Sequence, residues 1–139
     1  MQTITKSLRI PTETAEAIEQ TARRVGRNFS SVANELLDEA LKMRRCPGIV
    51  FADGATGRRA RLAGTGIDVW EVIATYQSVN QSWKRLKAAY HWLDETKLRA
   101  ALAYYECYPE EIEERIQQNE SWTPERVKQS HLFARQRKS

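Results

Sequence analysis

Polar and apolar residues alternate with a period of two at the start of the chain, in Thr3-Ile4-Thr5-Lys6-Ser7-Leu8-Arg9-Ile10. That period predicts a short strand with Ile4, Leu8 and Ile10 on one face, interrupted by Lys6, and Thr3, Thr5, Ser7 and Arg9 on the other. After Pro11 the period lengthens. Ala15, Ile18, Ala22 and Val25 recur at helical spacing with Glu13, Glu16, Glu19, Arg23 and Arg24 on the remaining faces, and Gly26 stands where a helix stops. Asn28 is placed to accept from the amide of Ser30 or Ser31 as the N-cap of a second helix, whose stripe is Ala33, Leu36, Leu37, Ala40 and Leu41. One strand and two half-apolar helices enclose too little core to be stable alone. The pattern therefore predicts a dimer in which two such strands pair.

Cys46-Pro47-Gly48 opens a different region. Ile49-Val50-Phe51 and Ala60-Arg61-Leu62 are short strands, and the turn-rich Asp53-Gly54-Ala55-Thr56-Gly57 between them closes a hairpin. Gly64-Thr65-Gly66 leads into a helix with Val69, Val72, Ile73 and Tyr76 on its apolar face. A helix through Trp83, Leu86 and Tyr90 follows, then one through Leu98, Ala101, Leu102 and Tyr105 capped by Asp94. Pro109 takes the first position of an acidic helix, Glu110-Glu111-Ile112-Glu113-Glu114-Arg115-Ile116. Thr123 before Pro124 signals one more short helix in the tail. The expected organisation is residues 1–45, 46–118 and a basic tail, 119–139.

Charge sharpens this division. Residues 1–45 carry 8 Lys and Arg against 6 Asp and Glu, residues 46–120 carry 9 against 11, and the last nineteen carry 5 against 1, for a formal net charge of +4. Basic ends around a mildly acidic middle permit a polyanionic partner. Hydrophobic content of 41% suits a soluble folded protein, and the apolar runs are too short to span a bilayer. With no leader pattern either, the expectation is a cytoplasmic protein without a membrane partner.

Site chemistry argues against an enzyme. The chain has no nucleophile elbow, Walker loop, HExxH sequence or dinucleotide fingerprint. Cys46, Cys107, His91 and His131 lack metal-ligand spacing, so neither metal nor cofactor is expected and these residues read as packing or surface positions. The glutamates at 110, 111, 113 and 114 point in different directions around a helix and suit its N-terminal dipole better than an acidic catalytic cluster. Trp70, Trp83 and Trp92 read as core.

The opening strand carries more. Two copies paired antiparallel make a ribbon of the width the DNA major groove admits, with hydroxyl and guanidinium groups facing base edges. Arg9 is the strongest base reader, since its fork matches both acceptors of a guanine.

Residues 3–45, with Lys6-Ser7-Leu8-Arg9-Ile10-Pro11, the first helix, Gly26-Arg27-Asn28-Phe29-Ser30 and the helix ending near Leu41, resemble a ribbon-helix-helix DNA-binding domain. The resemblance implies an intertwined homodimer on an operator in double-stranded DNA. Thr5, Ser7 and Arg9 match its base-reading positions, and Asn28, Phe29 and Ser30 match its phosphate anchor. Lys6 and Arg27 join that anchor as phosphate contacts. A helix N-terminus favours an anion on physical grounds as well. Lys6 departs from the apolar residue usual at its position; its stem packs while the ammonium snorkels outward.

A second resemblance covers residues 47–118. Pro47-Gly48-Ile49-Val50-Phe51, Arg58-Arg59-Ala60, Leu62-Ala63-Gly64-Thr65-Gly66, Asp68-Val69-Trp70-Glu71-Val72, Arg99-Ala100-Ala101-Leu102-Ala103-Tyr104-Tyr105 and Tyr108-Pro109-Glu110-Glu111-Ile112 look like a small helical family, originally of unknown function, grouped with VapB-like antitoxins. That likeness implies a helix-turn-helix-like bundle, often encoded beside a PIN-like ribonuclease toxin. Lys97 and Arg99 stand where they would meet DNA. The Ala, Leu and Tyr content of their helix instead favours fold support and partner contact.

The expected fold is mainly α: an N-terminal ribbon-helix-helix followed by a small helical bundle with a short β-hairpin. The expected function is a sequence-specific transcriptional regulator, the antitoxin of a toxin-antitoxin pair. Its tail residues Trp122, Arg126, Arg135 and Arg137 would contact the toxin, unless the tail is an ordinary disordered terminus. The alternatives are a stand-alone repressor and a dimeric protein-interaction adaptor.

Overall fold

The computed structural model describes residues 2–54 and 57–119. It divides into two compact units between Lys42 and Met43. Among the described residues the fold is mainly helical, with six helices and one two-stranded antiparallel sheet.

The first unit holds α1, Thr12–Val25, and all but the last three residues of α2, Phe29–Arg45. Gly26 ends α1 with φ of 68°, a left-handed conformation that is cheap only without a Cβ. Its N–H donates to the Arg23 carbonyl at 3.3 Å, and that of Arg27 reaches back to Ala22 at 2.9 Å. This pair of bonds satisfies carbonyls that the helix end would otherwise leave open. Residues 2–10 carry no strand in the single chain. A strand exists through its ladder, and none of the described residues pairs with this segment. Burial in the first unit is correspondingly thin: Ala22 and Val32 are its buried apolar residues.

The second unit contains the hairpin. Strand β1, Ile49–Gly54, pairs antiparallel with β2, Gly57–Leu62, in a register that sets Ile49 opposite Leu62 and Phe51 opposite Ala60. Every second residue therefore faces inward, and Ile49, Ala60 and Leu62 are buried. Helix α3, Val69–Ser78, is the hub: β2, α4 (Trp83–Ala89), α5 (Glu95–Cys107) and α6 (Pro109–Gln118) all pack on it. Val69, Val72 and Ile73 are fully shielded there, and each such side chain contributes about 1.5–3 kcal/mol. Leu86, Tyr90, Leu98, Ala101, Tyr104 and Ile112 complete the core from the surrounding helices.

Helix starts in this unit follow their local signals. Ser82 Oγ accepts from the Arg85 N–H at 3.2 Å, and Asp94 Oδ1 accepts from that of Thr96 at 3.0 Å. Pro109 opens α6, where its missing donor costs nothing. No described helix is long and apolar enough to cross a membrane.

Candidate nucleic-acid interface

Among the expected phosphate-binding residues, Asn28 is fixed most tightly. Its Oδ1 accepts from the Ser31 N–H at 2.8 Å and its carbonyl accepts from the Val32 N–H at 3.2 Å, so Asn28 caps α2. The amide selected is that of Ser31. The amides of Phe29 and Ser30, one and two residues into the helix, have no intrahelical acceptor and are open to an anion. Ser30 is exposed and Phe29 half-buried, which anchors the turn while leaving the hydroxyl accessible.

Arg27 lies along the same end of the helix. Its Nε and Nη2 donate to Ser31 Oγ at 3.0 and 2.6 Å, and Nη1 is 3.0 Å from Glu35 Oε2. The guanidinium is thus already paired. A phosphate reaching this site would share it with Glu35, while Ser31 holds it at the helix start.

Thr5, Lys6, Ser7 and Arg9 are exposed in the extended N-terminal segment. Among the described residues no hydrogen bond or ion pair joins them to the Arg27–Asn28–Ser31 cluster. Ile4 and Leu8, which the alternation places on the buried face, are 79% and 67% exposed. Trp122, Arg126, Arg135 and Arg137 lie outside the described residues.

In the second unit, Lys97 Nζ donates to the Ala63 carbonyl at 3.1 Å, and the Arg99 guanidinium stacks 4.5 Å from the centre of the Trp83 ring. Both cations tie α5 to its surroundings. Lys87 completes this surface, its Nζ 3.1 Å from Glu95 Oε1 and 5.7 Å from the centre of the Trp83 ring. Trp92, expected in the core, is instead 47% exposed. It sits in the α4–α5 connection, its ring tilted 5.6 Å from that of Tyr90 and edge-on to His91 at 5.2 Å. Tyr90 fills the interior in its place, with its hydroxyl 3.3 Å from Thr75 Oγ1.

A buried polar cluster went unnoticed in the sequence. The Asp68 carboxylate faces Arg61 Nε at 3.0 Å, Arg59 Nε at 3.2 Å and the Trp70 indole N–H at 3.1 Å. Glu71 Oε2 accepts the Asp68 N–H at 3.4 Å. Burial, and then the neighbouring Asp68 carboxylate, push the Glu71 carboxyl up to about 7. The alternation of Arg59 and Arg61 on one face of β2 was a readable signal, but its counter-ion comes from the next element. The cluster fastens the hairpin to the start of α3.

The α6 glutamates also have structural tasks. Glu111 Oε2 accepts from the Tyr104 hydroxyl at 2.5 Å, and Glu113 Oε1 accepts from the Tyr105 hydroxyl and from Gln77 Nε2, the latter at 2.7 Å. Desolvation, with Glu111 beside it, drives the Tyr104 hydroxyl far above the usual phenol range. Among the described residues no group of three or more His, Cys, Asp or Glu is arranged to hold a metal ion.

Residues 49–105 match the family described as "Protein of unknown function (DUF433)". The matched residues run from the first residue of β1 nearly to the end of α5, inside the second unit. A crystal structure of a DUF433 member protein from Anabaena variabilis is 26% identical; the alignment covers 77% of this chain and 98% of that one, with a TM-score of 0.42. No curated protein matches the chain.

Proposed function

We propose that the chain is a dimeric, sequence-specific DNA-binding regulator, in which residues 3–10 of two copies pair as an antiparallel ribbon. The observation that carries this reading is the uncovered apolar surface of the first unit. Leu36, Leu37 and Leu41 on α2 are 46%, 58% and 67% exposed, and Val25, Ile4 and Leu8 are exposed with them. That is the stripe an amphipathic helix buries, here with none of the described residues covering it. A second copy supplies the same stripe and the missing strand together, and such a self-complementary contact closes as a two-fold dimer.

In that dimer Ile4, Leu8 and Ile10 turn inward and Thr5, Ser7 and Arg9 project from the ribbon. The open amides at the start of α2, with Asn28 and Arg27 around them, supply a phosphate contact on each side. Lys6 reaches the backbone as a point charge. Binding should weaken steeply with salt, because each neutralised phosphate releases counterions. A titration of the chain with the DNA upstream of its own gene, repeated across salt concentrations, tests this. Binding that is insensitive to salt, or equal on scrambled DNA, leaves the adaptor reading in its place.

The biological setting we assign is a toxin-antitoxin operon, on the strength of the motifs in residues 47–118. There the regulator represses its own promoter, while its C-terminal part neutralises a PIN-like ribonuclease through Trp122, Arg126, Arg135 and Arg137. Co-purification with the product of the adjacent gene, with and without residues 121–139, checks it. No association in either form leaves a stand-alone repressor.

A further inference from the structure

Arg27, Ser31 and Glu35 recur at every fourth residue, so along the start of α2 they share one face. The Arg27 side chain lies lengthwise over it. Nε and Nη2 hold Ser31 Oγ, Nη2 also donates to the Ser31 carbonyl at 3.2 Å, and Nη1 is 3.0 Å from Glu35 Oε2. The Glu35 contact thus draws the guanidinium along the helix, past the open amides of Phe29 and Ser30. The backbone of Arg27 is fixed separately, through its N–H on the Ala22 carbonyl at 2.9 Å. A change of partner therefore needs side-chain rotation alone.

The Glu35 carboxylate has little other use in the first unit. Among the described residues it has no hydrogen-bond or ion-pair partner besides Arg27. It stands about two turns into α2, beyond the reach of the helix dipole, while the first turn itself carries no acidic residue. Both side chains of the pair are partly exposed, so water weakens the contact and a phosphate can displace it.

We propose that Glu35 is a positioning residue for the phosphate contact, a latch that holds Arg27 along α2 and competes with the DNA backbone for its guanidinium. This inference rests on the DNA-binding reading above. On docking, Nη1 leaves the carboxylate and the fork turns to a phosphate, where its bonds are again charge-assisted. Glu35 is then left without its counter-ion beside a polyanion. Both effects oppose binding, and they do so alike on operator and on unrelated sequence, because a phosphate contact carries no base information.

The test compares the full chain with Glu35→Gln on operator and scrambled duplexes across a range of salt, with Arg27→Ala and the double variant completing the cycle. Glu35→Gln should bind both duplexes about fivefold to tenfold more tightly at low salt, the scale of two partly exposed ion pairs in a dimer. The ratio between the duplexes should stay as it was, and the salt dependence should steepen by about one phosphate charge per protomer. In the Arg27→Ala background the same substitution should gain far less. Unchanged or weaker binding by Glu35→Gln, or an equal gain with and without Arg27, would each overturn the latch while the wild type still binds its operator. A wild type that binds neither duplex would overturn the DNA-binding reading and the latch together. Glu35→Ala, which places a strong helix former at the position, should shift affinity in the same direction and decides the question if the glutamine variant fails to fold.

Discussion

Arg61 Nε lies 3.0 Å from Asp68 Oδ1, and this contact fastens the end of the hairpin to the beginning of the helix on which the rest of the second unit packs. Asp68 also faces Arg59 and accepts from the Trp70 indole, so its removal leaves two donors without their shared acceptor and the Arg59 charge without its counter-ion. Asp68→Ala should therefore destabilise this unit by about 3 kcal/mol, the range for breaking one side of a buried ion pair. Asp68→Asn, which keeps an acceptor oxygen, should cost less. Chemical denaturation of the two variants checks the order.

Glu71 predicts a pH dependence. Its carboxyl sits at about 7 in the fold against 4.5 ordinarily, so the fold prefers the protonated form. The stability linked to that proton is fully present below the unfolded value and is lost as pH rises through about 7, a difference on the order of 3 kcal/mol. Glu71→Gln is uncharged and keeps a carbonyl for the Asp68 N–H. The advantage of the variant over the wild type should grow between about pH 5 and pH 8, as read from unfolding midpoints. An advantage that is constant across that interval would exclude the burial account.

Asn28 has a local task and, under the proposal, a functional one. Asn28→Ala removes the cap on Ser31 and should cost about 1 kcal/mol of stability in the first unit. Affinity for DNA should fall by a similar factor on operator and on unrelated sequence, because a phosphate contact carries no base information. Loss of discrimination instead would place Asn28 among the base readers.

Leu37 and Leu41 report on the proposed dimer. Both are exposed in the single chain, so Leu37→Glu with Leu41→Glu should leave the second unit folded. The pair should nonetheless convert the chain from dimer to monomer, measured as mass by light scattering during size-exclusion chromatography. A double variant with the wild-type mass would mean that some other face joins the copies.

What the sequence made legible is local. Gly26, Asn28, Asp94 and Pro109 announce helix ends through their own backbone and side-chain chemistry, and all four stand at helix ends in the structure. The short strands expected at Ile49–Phe51 and Ala60–Leu62 likewise lie in the hairpin. Relationships between elements were hidden. Asp68 meets two arginines of the preceding strand, and Glu113 meets Gln77, only because tertiary packing brings them together. Bulk and apolarity predict burial for Trp92, yet it stands exposed in the α4–α5 connection while Tyr90 beside it is buried. At the N-terminus the alternation is plain in the residues, and under the proposal its partner strand comes from a second chain.

The most direct test of the account is the sequence discrimination of Arg9→Ala, alone and with Ser7→Ala, measured as the ratio of affinities for the upstream operator and a scrambled duplex at fixed salt. If the ribbon reads bases, losing the Arg9 fork should lower that ratio about tenfold, the scale of one bidentate base contact, while binding to scrambled DNA changes far less. An unchanged ratio in both variants would contradict the central claim and leave the N-terminal segment as a dimerisation strand only.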